Sequence, residues 1–196
     1  QGRSDVARAH ALLWADEKKR IDVARRMYAL RYGSITAHRD IDILRGIEGS
    51  RMKKSYQLLA ERHGIKWDGR RYDRSDPMAA DLPNQALNHA ATFVECAADI
   101  AAALTGALPP LGFIHENSSN AFTLDIADLY RTEVTIPLAF RCARQALDNQ
   151  DLLLERFLRL EAAKEFRRYK LIPKMIDHIK ELLYVNDGRG DQKCPE

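Results

Sequence analysis

Residues 84–104 read NQALNHAATFVECAADIAAAL. The stretch is rich in alanine, and its only charges are Glu95 and Asp99. That composition favours a helix and predicts one buried in the centre of a domain rather than lying half in water. The neighbours expected to surround it are helices too. Asp5 to Arg31 is predicted as one long, charged helix with apolar positions at Val6, Leu13, Ala24, Met27 and Tyr28, ended by Gly33 and Ser34. A second runs from about Asp40 to His63 and stops at Gly64. Residues 65–83, with Gly69, Pro77 and Pro83, read as a loop. After the alanine-rich stretch, Gly106 to Gly112 is a turn, Phe113-Ile114-His115 leaves it extended, and residues 116–121 form a polar loop. Thr123 reads as the N-cap of a helix reaching about Leu147, kinked or interrupted at Pro137. Asp151 to Arg168 and Leu171 to Tyr184 complete the set. No window alternates strictly enough for a central strand. The expected fold class is all-α: one helical domain over residues 1–184, followed by a flexible polar tail over 185–196.

Composition bounds the function. The chain has 196 residues, 45% hydrophobic and 30% charged, with a mean hydropathy of −0.42. One substantial core fits that length. The longest run without Asp, Glu, Lys or Arg, Ile100 to His115, is broken by Gly106, Pro109, Pro110 and Gly112. No transmembrane helix is expected there, nor a membrane partner. No signal peptide is evident, and Gln1-Gly2-Arg3-Ser4 reads like the interior of a longer chain. The three cysteines, Cys96, Cys142 and Cys194, are widely spaced and odd in number, which excludes a disulfide framework and a CxxC zinc site. Cys96 and Cys142 are expected as reduced core residues in a cytoplasmic protein. Charge is unevenly placed: residues 1–74 hold 18 Lys and Arg against 10 Asp and Glu, while the remainder is net acidic. A basic half points to a polyanionic partner, with a merely solvated helix face as the alternative.

Some acids look misplaced. At 100° per residue, Ile41, Leu44, Met52, Ser55 and Leu59 form one stripe of the second helix, and Glu48 falls inside it. A carboxylate on an inward face is costly unless paired, protonated or metal-bound. Gly46 and Gly49 flank it, at about 1 kcal/mol each relative to Ala, as though something approaches the backbone there. The alternative is a Glu paired with a buried arginine, Arg45 or Arg51. Further on, Asp125 and Asp128 share a helix face. Singly, Asp125 favours a helix N-terminus, Asp128 pairs with Arg131, and His115 is a core histidine. Combined with Glu48, they offer carboxylates plus one imidazole, a donor set suited to Mg²⁺ or Mn²⁺. Competing motifs fail. Ser119 occupies the place of a zincin's second His after His115-Glu116, no Walker or GxGxxG loop occurs, and Ser118 and Ser119 have no evident base. Trp67-Asp68-Gly69-Arg70-Arg71-Tyr72 sets two arginines beside two aromatics, a pairing that clamps phosphate and stacks on bases, or simply an ordinary surface turn.

In order, Arg45-Gly46-Ile47-Glu48-Gly49-Ser50-Arg51, Trp67 to Asp73, Gly112-Phe113-Ile114-His115 and Asp125-Ile126-Ala127-Asp128-Leu129 resemble the C-terminal catalytic domain of the CRISPR-associated adaptation integrases, the first of the Cas proteins. The subtype working with Cascade looks most similar, and the resemblance spans about Ser4 to Tyr184. It implies an all-helical catalytic domain that follows a small N-terminal β-domain, which carries much of a homodimer contact. It also implies divalent-metal-dependent cutting and joining of DNA during spacer acquisition in a prokaryotic cytoplasm. The metal residues map onto Glu48, His115 and Asp128, with Asp125 as a further catalytic acid. Arg45, Arg51, Arg70, Arg71 and Tyr72 map near DNA. The implied partners are double-stranded or forked protospacer DNA, the CRISPR repeat and the small second Cas protein. Related sequences often carry Gly and Lys just after the histidine, whereas this chain has Glu116-Asn117-Ser118-Ser119-Asn120. The competing expectation is a non-catalytic helical DNA-binding or scaffold domain whose acids are structural.

Overall fold

The computed structural model describes residues 4–33, 41–71 and 80–183, apart from the side chains of Ile41 and Asp42. Tyr72, Cys194 and the expected tail over 185–196 lie outside the described residues. The elements are α1 (Ser4–Ala15), α2 (Glu17–Tyr32), α3 (Ile41–Arg62), α4 (Leu82–Thr105), α5 (Ala121–Asp128), a wide π-turn segment (Arg131–Thr135), α6 (Ile136–Asp148), α7 (Leu154–Tyr169) and α8 (Leu171–Leu183). No strand occurs among the described residues, and the fold is all-α as expected.

The alanine-rich helix is the axis. α4 packs against α5, α6, α7 and α8, and its small side chains let those helices approach closely. Asp81 caps it by accepting from the Asn84 N–H at 2.9 Å, Pro83 sits in its first turn, and Gly106 closes it at φ 80°. Its N-terminal half, with Ala86, Leu87 and Ala90, joins a core with Met52, Phe140 and Leu158. Its C-terminal half, with Val94, Ala98 and Ala102, joins a second core with Met27, Phe122 and Met175. Each fully buried large apolar side chain contributes roughly 1.5–3 kcal/mol.

Several expectations change here. The predicted helix over Asp5–Arg31 is two helices, because the Asp16 side chain turns back to accept from the Lys19 N–H and starts α2 afresh. Thr123 is not an N-cap. It lies inside α5, and its hydroxyl donates to Asp99 of α4 at 2.7 Å. The helix expected to continue to Leu147 ends at Asp128; the chain turns at Leu129–Tyr130 and restarts after the π segment. The interruption foreseen at Pro137 falls just before it, and Pro137 sits in the first turn of α6, where a missing N–H is harmless. Cys142 is buried as expected, but Cys96 is exposed.

Candidate active site

The loop between α4 and α5 is held from two sides. On one side, α1 supplies buried His10, whose Nδ1 accepts from the Leu108 N–H at 3.1 Å and whose Nε2 lies 2.7 Å from the Leu111 carbonyl. Since Nδ1 accepts, Nε2 carries the proton and donates. The ring stacks on Phe113 and tilts against Phe122, and burial holds its pKa below the ordinary histidine value. Trp14, one turn on, donates its indole N–H to the Gly112 carbonyl at 3.0 Å. Gly112 has no alternative: a Cβ there would lie 2.1 Å from the His115 carbonyl oxygen and 2.7 Å from the Ala121 Cβ.

On the other side stands Asp125. Its side chain is fully buried. It accepts the backbone N–H groups of Phe113 at 2.6 Å, Ile114 at 3.0 Å and His115 at 3.0 Å. The same carboxylate meets His115 Nδ1 at 2.7 Å. A carboxylate accepts only, so Nδ1 carries the proton and Nε2 is the lone-pair nitrogen of the neutral ring. This hydrogen bond raises the His115 pKa against the opposing effect of burial. Asp125 thus orients His115, with both its oxygens already committed.

Glu48 projects from α3, and its carboxylate is 15% exposed. It pairs with Arg31 of α2 and accepts from the Tyr28 hydroxyl at 3.1 Å. The arginine partner foreseen as Arg45 or Arg51 is Arg31. Burial, and then Glu48, hold the Tyr28 phenol protonated well above its usual range. Asp128, at the end of α5, pairs with Arg131 at 2.6 Å, as its i,i+3 spacing foretold. Burial raises the Asp128 pKa, against Arg131 and Arg31. Half-buried Glu95 of α4 is raised as well, by burial and then by Asp128.

Glu48, His115 and Asp128, from three separate parts of the chain, line one cavity of about 680 Å³ together with Arg45 and Arg131. Two carboxylates and one imidazole are a chemically suitable donor set for Mg²⁺ or Mn²⁺. Their spacing is not that of a formed centre. Among the described residues, no three His, Cys, Asp or Glu side chains stand close enough together to hold a metal ion. Both carboxylates are engaged by arginines instead.

The remaining candidates divide. Arg45 lines the cavity and donates to the Ile114 carbonyl at 2.5 Å, tying α3 to the segment that ends in His115, which bends at Phe113 and Ile114 instead of running extended as expected. Arg51 is exposed, with its guanidinium 4.6 Å from the Tyr32 ring centroid. Arg70 donates to Asn84 at 3.1 Å and to Asn88 at 2.6 Å, and the Arg71 N–H donates to Asn84 at 2.8 Å, so this turn is stitched to α4. Trp67 stacks on Tyr56 and packs edge-on against Phe140. Lys53, Tyr56, Trp67 and Arg70 line a second cavity of about 520 Å³, which shares Gly49 and Met52 with the first. Among the described residues, nothing beyond the helix's own neighbouring backbone lies within 4 Å of a Cβ placed at Gly46 or Gly49, so none of them exploits that bare helix face. His10, Trp14 and Arg31 went unnoticed in the sequence. The only hint at Arg31 was its place beside the apolar positions Met27 and Tyr28.

Comparison with known proteins agrees on one family. The family model described as CRISPR associated protein Cas1 matches residues 3–166. The chain is 36% identical to CRISPR-associated endonuclease Cas1 1 of Rhodospirillum rubrum, covering 100% of this chain and 65% of that protein. It is 37% identical to CRISPR-associated endonuclease Cas1 of Escherichia coli, covering 94% and 60% respectively. Among solved structures, TtCas1 in complex with DNA superposes with a TM-score of 0.83 at 30% identity, over 91% of this chain and 65% of that one. A casposase bound to its integration product, at 14% identity and a TM-score of 0.68, shares the fold. The chain spans about 60–65% of the length of these Cas1 relatives.

Proposed function

The chain belongs to the Cas1 family of CRISPR-associated proteins, and on that premise we propose that it is the catalytic portion of a divalent-metal-dependent DNA endonuclease and integrase. In this reading it joins protospacer 3′-hydroxyl ends into a CRISPR array, in the subtype that works with Cascade. The observation that carries the reading is the cavity shared by Glu48, His115 and Asp128, with the imidazole aimed by buried Asp125. Those three residues would hold a Mg²⁺ or Mn²⁺ ion once their side chains turn towards one another. Such an ion, when bound, polarises a DNA phosphate and offsets the charge that develops on it.

The chain's own groups do the rest. Asp125 keeps the His115 proton on Nδ1, so that Nε2 faces its task unprotonated. Arg45, Arg51, Arg70 and Arg71, together with Tyr72, grip the DNA backbone, and the basic residues of 1–74 extend that grip without reading sequence. In joining, a 3′-oxygen forms a new P–O bond as the target strand's P–O bond breaks, leaving a 3′-hydroxyl. One phosphodiester replaces another, so no energy-rich cofactor is needed. In hydrolysis water takes the place of the 3′-hydroxyl.

The full-length protein acts as a homodimer with the small second Cas protein, in the prokaryotic cytoplasm. No helix among the described residues is long and apolar enough to cross a membrane. The arginine pairing of both carboxylates favours a second reading, a helical DNA-binding or scaffold domain whose acids are structural. A strand-transfer assay with the full-length protein and its small partner separates the two. Joining that requires Mg²⁺ or Mn²⁺ and disappears in Glu48→Ala supports the enzyme; metal-independent DNA binding without joining supports the scaffold.

A further inference from the structure

Two cations of the chain's own already sit on the carboxylates of the cavity. Arg31 comes from α2, outside every motif that marks the site, and its side chain is only 3% exposed. One of its terminal nitrogens pairs with Glu48, and the other lies 3.1 Å from the Met52 sulfur. Its buried Nε finds no hydrogen-bond acceptor. A guanidinium taken so far from water is tolerated when an anion compensates it, and here Glu48 is that anion. Its incompletely used fork shows that charge, more than hydrogen bonding, holds it in place. Arg131 repeats the arrangement on Asp128 at 2.6 Å, with a more open side chain at 35% exposure. Each of the two carboxylates in this cavity thus has a guanidinium against it.

We infer that Arg31 and Arg131 are resident counter-ions, which hold the Glu48 and Asp128 carboxylates in the metal-free chain and must yield them when a divalent cation binds. The inference rests on the metal-dependent reading above and adds a step to it. A divalent ion arriving at these carboxylates meets two positive charges within a few ångströms. It must displace each guanidinium from its carboxylate or share that carboxylate with it. The arginines therefore weaken the site for metal while keeping buried acids stable without it. They also remove the repulsion that a bare acidic cavity would exert on DNA, so the backbone can dock before the ion arrives. The two positions are unequal. Arg131 has solvent to move into, whereas Arg31 has almost none and opposes the ion from a fixed place.

The test is a Mn²⁺ titration of the purified chain, followed by calorimetry and by the electron paramagnetic resonance signal of free Mn²⁺. The proteins compared are wild type, Arg31→Met, Arg31→Lys and Arg131→Met, each checked for a cooperative thermal melt. Removing the charge at Arg31 is expected to tighten Mn²⁺ binding about tenfold, and removing it at Arg131 by a smaller factor. Arg31→Lys, which keeps the charge, stays near wild type. Binding by wild type with unchanged or weaker binding by a cooperatively melting Arg31→Met overturns the inference alone, making Arg31 a splint for Glu48. If Arg31→Met does not fold, unchanged or weaker binding by Arg131→Met overturns it equally. Absence of Mn²⁺ binding in every protein, wild type included, overturns the metal-dependent reading as well.

Discussion

Oδ1 of Asp125 lies 2.7 Å from Nδ1 of His115, and the same side chain accepts three consecutive backbone N–H groups, from Phe113 to His115. One buried carboxylate thereby fixes both the path of the segment and the tautomer of its histidine. Asp125→Asn cannot do both, since an amide offers one accepting atom where four hydrogen bonds converge. We expect a loss of about 3 kcal/mol of stability in urea denaturation. We also expect a fall in Mn²⁺ affinity larger than thermal destabilisation alone produces, read by titration well below the melting temperature.

Gly112 makes a second prediction about the same segment. With the His115 carbonyl 2.1 Å from a notional Cβ, even alanine forces the backbone to move. Gly112→Ala should cost about 2–3 kcal/mol and displace His115. Gly49→Ala meets nothing within 4 Å and serves as the control. Chemical denaturation of both variants checks this, and equal stability would remove the steric argument.

Buried His10 makes stability depend on pH. Its pKa is lowered from 6.5 in the folded chain, so the unfolded chain takes up a proton that the folded one refuses. The stability it protects is fully present above 6.5 and is lost as pH falls towards the depressed value, at up to about 1.4 kcal/mol per pH unit. His115 works in the opposite sense, because its raised pKa favours the folded state as pH falls. The clean observable is therefore the melting-temperature gap between wild type and His10→Gln, which should narrow from pH 7.5 to pH 5.5. A gap that stays constant would show that His10 does not titrate with folding.

Removing an acid should separate catalysis from binding. Asp128→Ala deletes a proposed metal ligand and leaves the Arg131 guanidinium unpaired beside the cavity. Cleavage and joining should fall to background while DNA affinity at fixed salt holds or rises. Parallel nuclease and binding assays on Asp128→Ala and Glu48→Ala check this. Wild-type nuclease rates in both variants would defeat the assignment.

How far the sequence carried these conclusions depends on how local each cause is. α4 was legible because low charge and abundant alanine mark a central helix, and the inward placement of Glu48 followed from simple periodicity. The Asp128–Arg131 pair was legible because both partners lie one turn apart. The break at Asp16 was not, since an aspartate serves equally as an N-cap or as a surface residue of an uninterrupted helix. Thr123 misled for a related reason: its hydroxyl is claimed by Asp99 of another helix, a contact that local propensity does not record. The turn at Leu129–Tyr130 contains neither Gly nor Pro, so the nearest sequence signal for a break is Pro137, several residues too late. Arg31 was out of reach because its pairing with Glu48 depends on how α2 meets α3, and nearness in sequence favoured Arg45 and Arg51. The family likeness named the three residues of the cavity, but not the arginines that hold two of them.

The most direct measurement is anomalous diffraction at the manganese edge from crystals of the chain soaked in Mn²⁺. A single peak bonded to Glu48, His115 Nε2 and Asp128, with the Arg31 and Arg131 guanidiniums withdrawn from the carboxylates, is the predicted result. A map at saturating Mn²⁺ with no peak in that cavity and both ion pairs intact would contradict it.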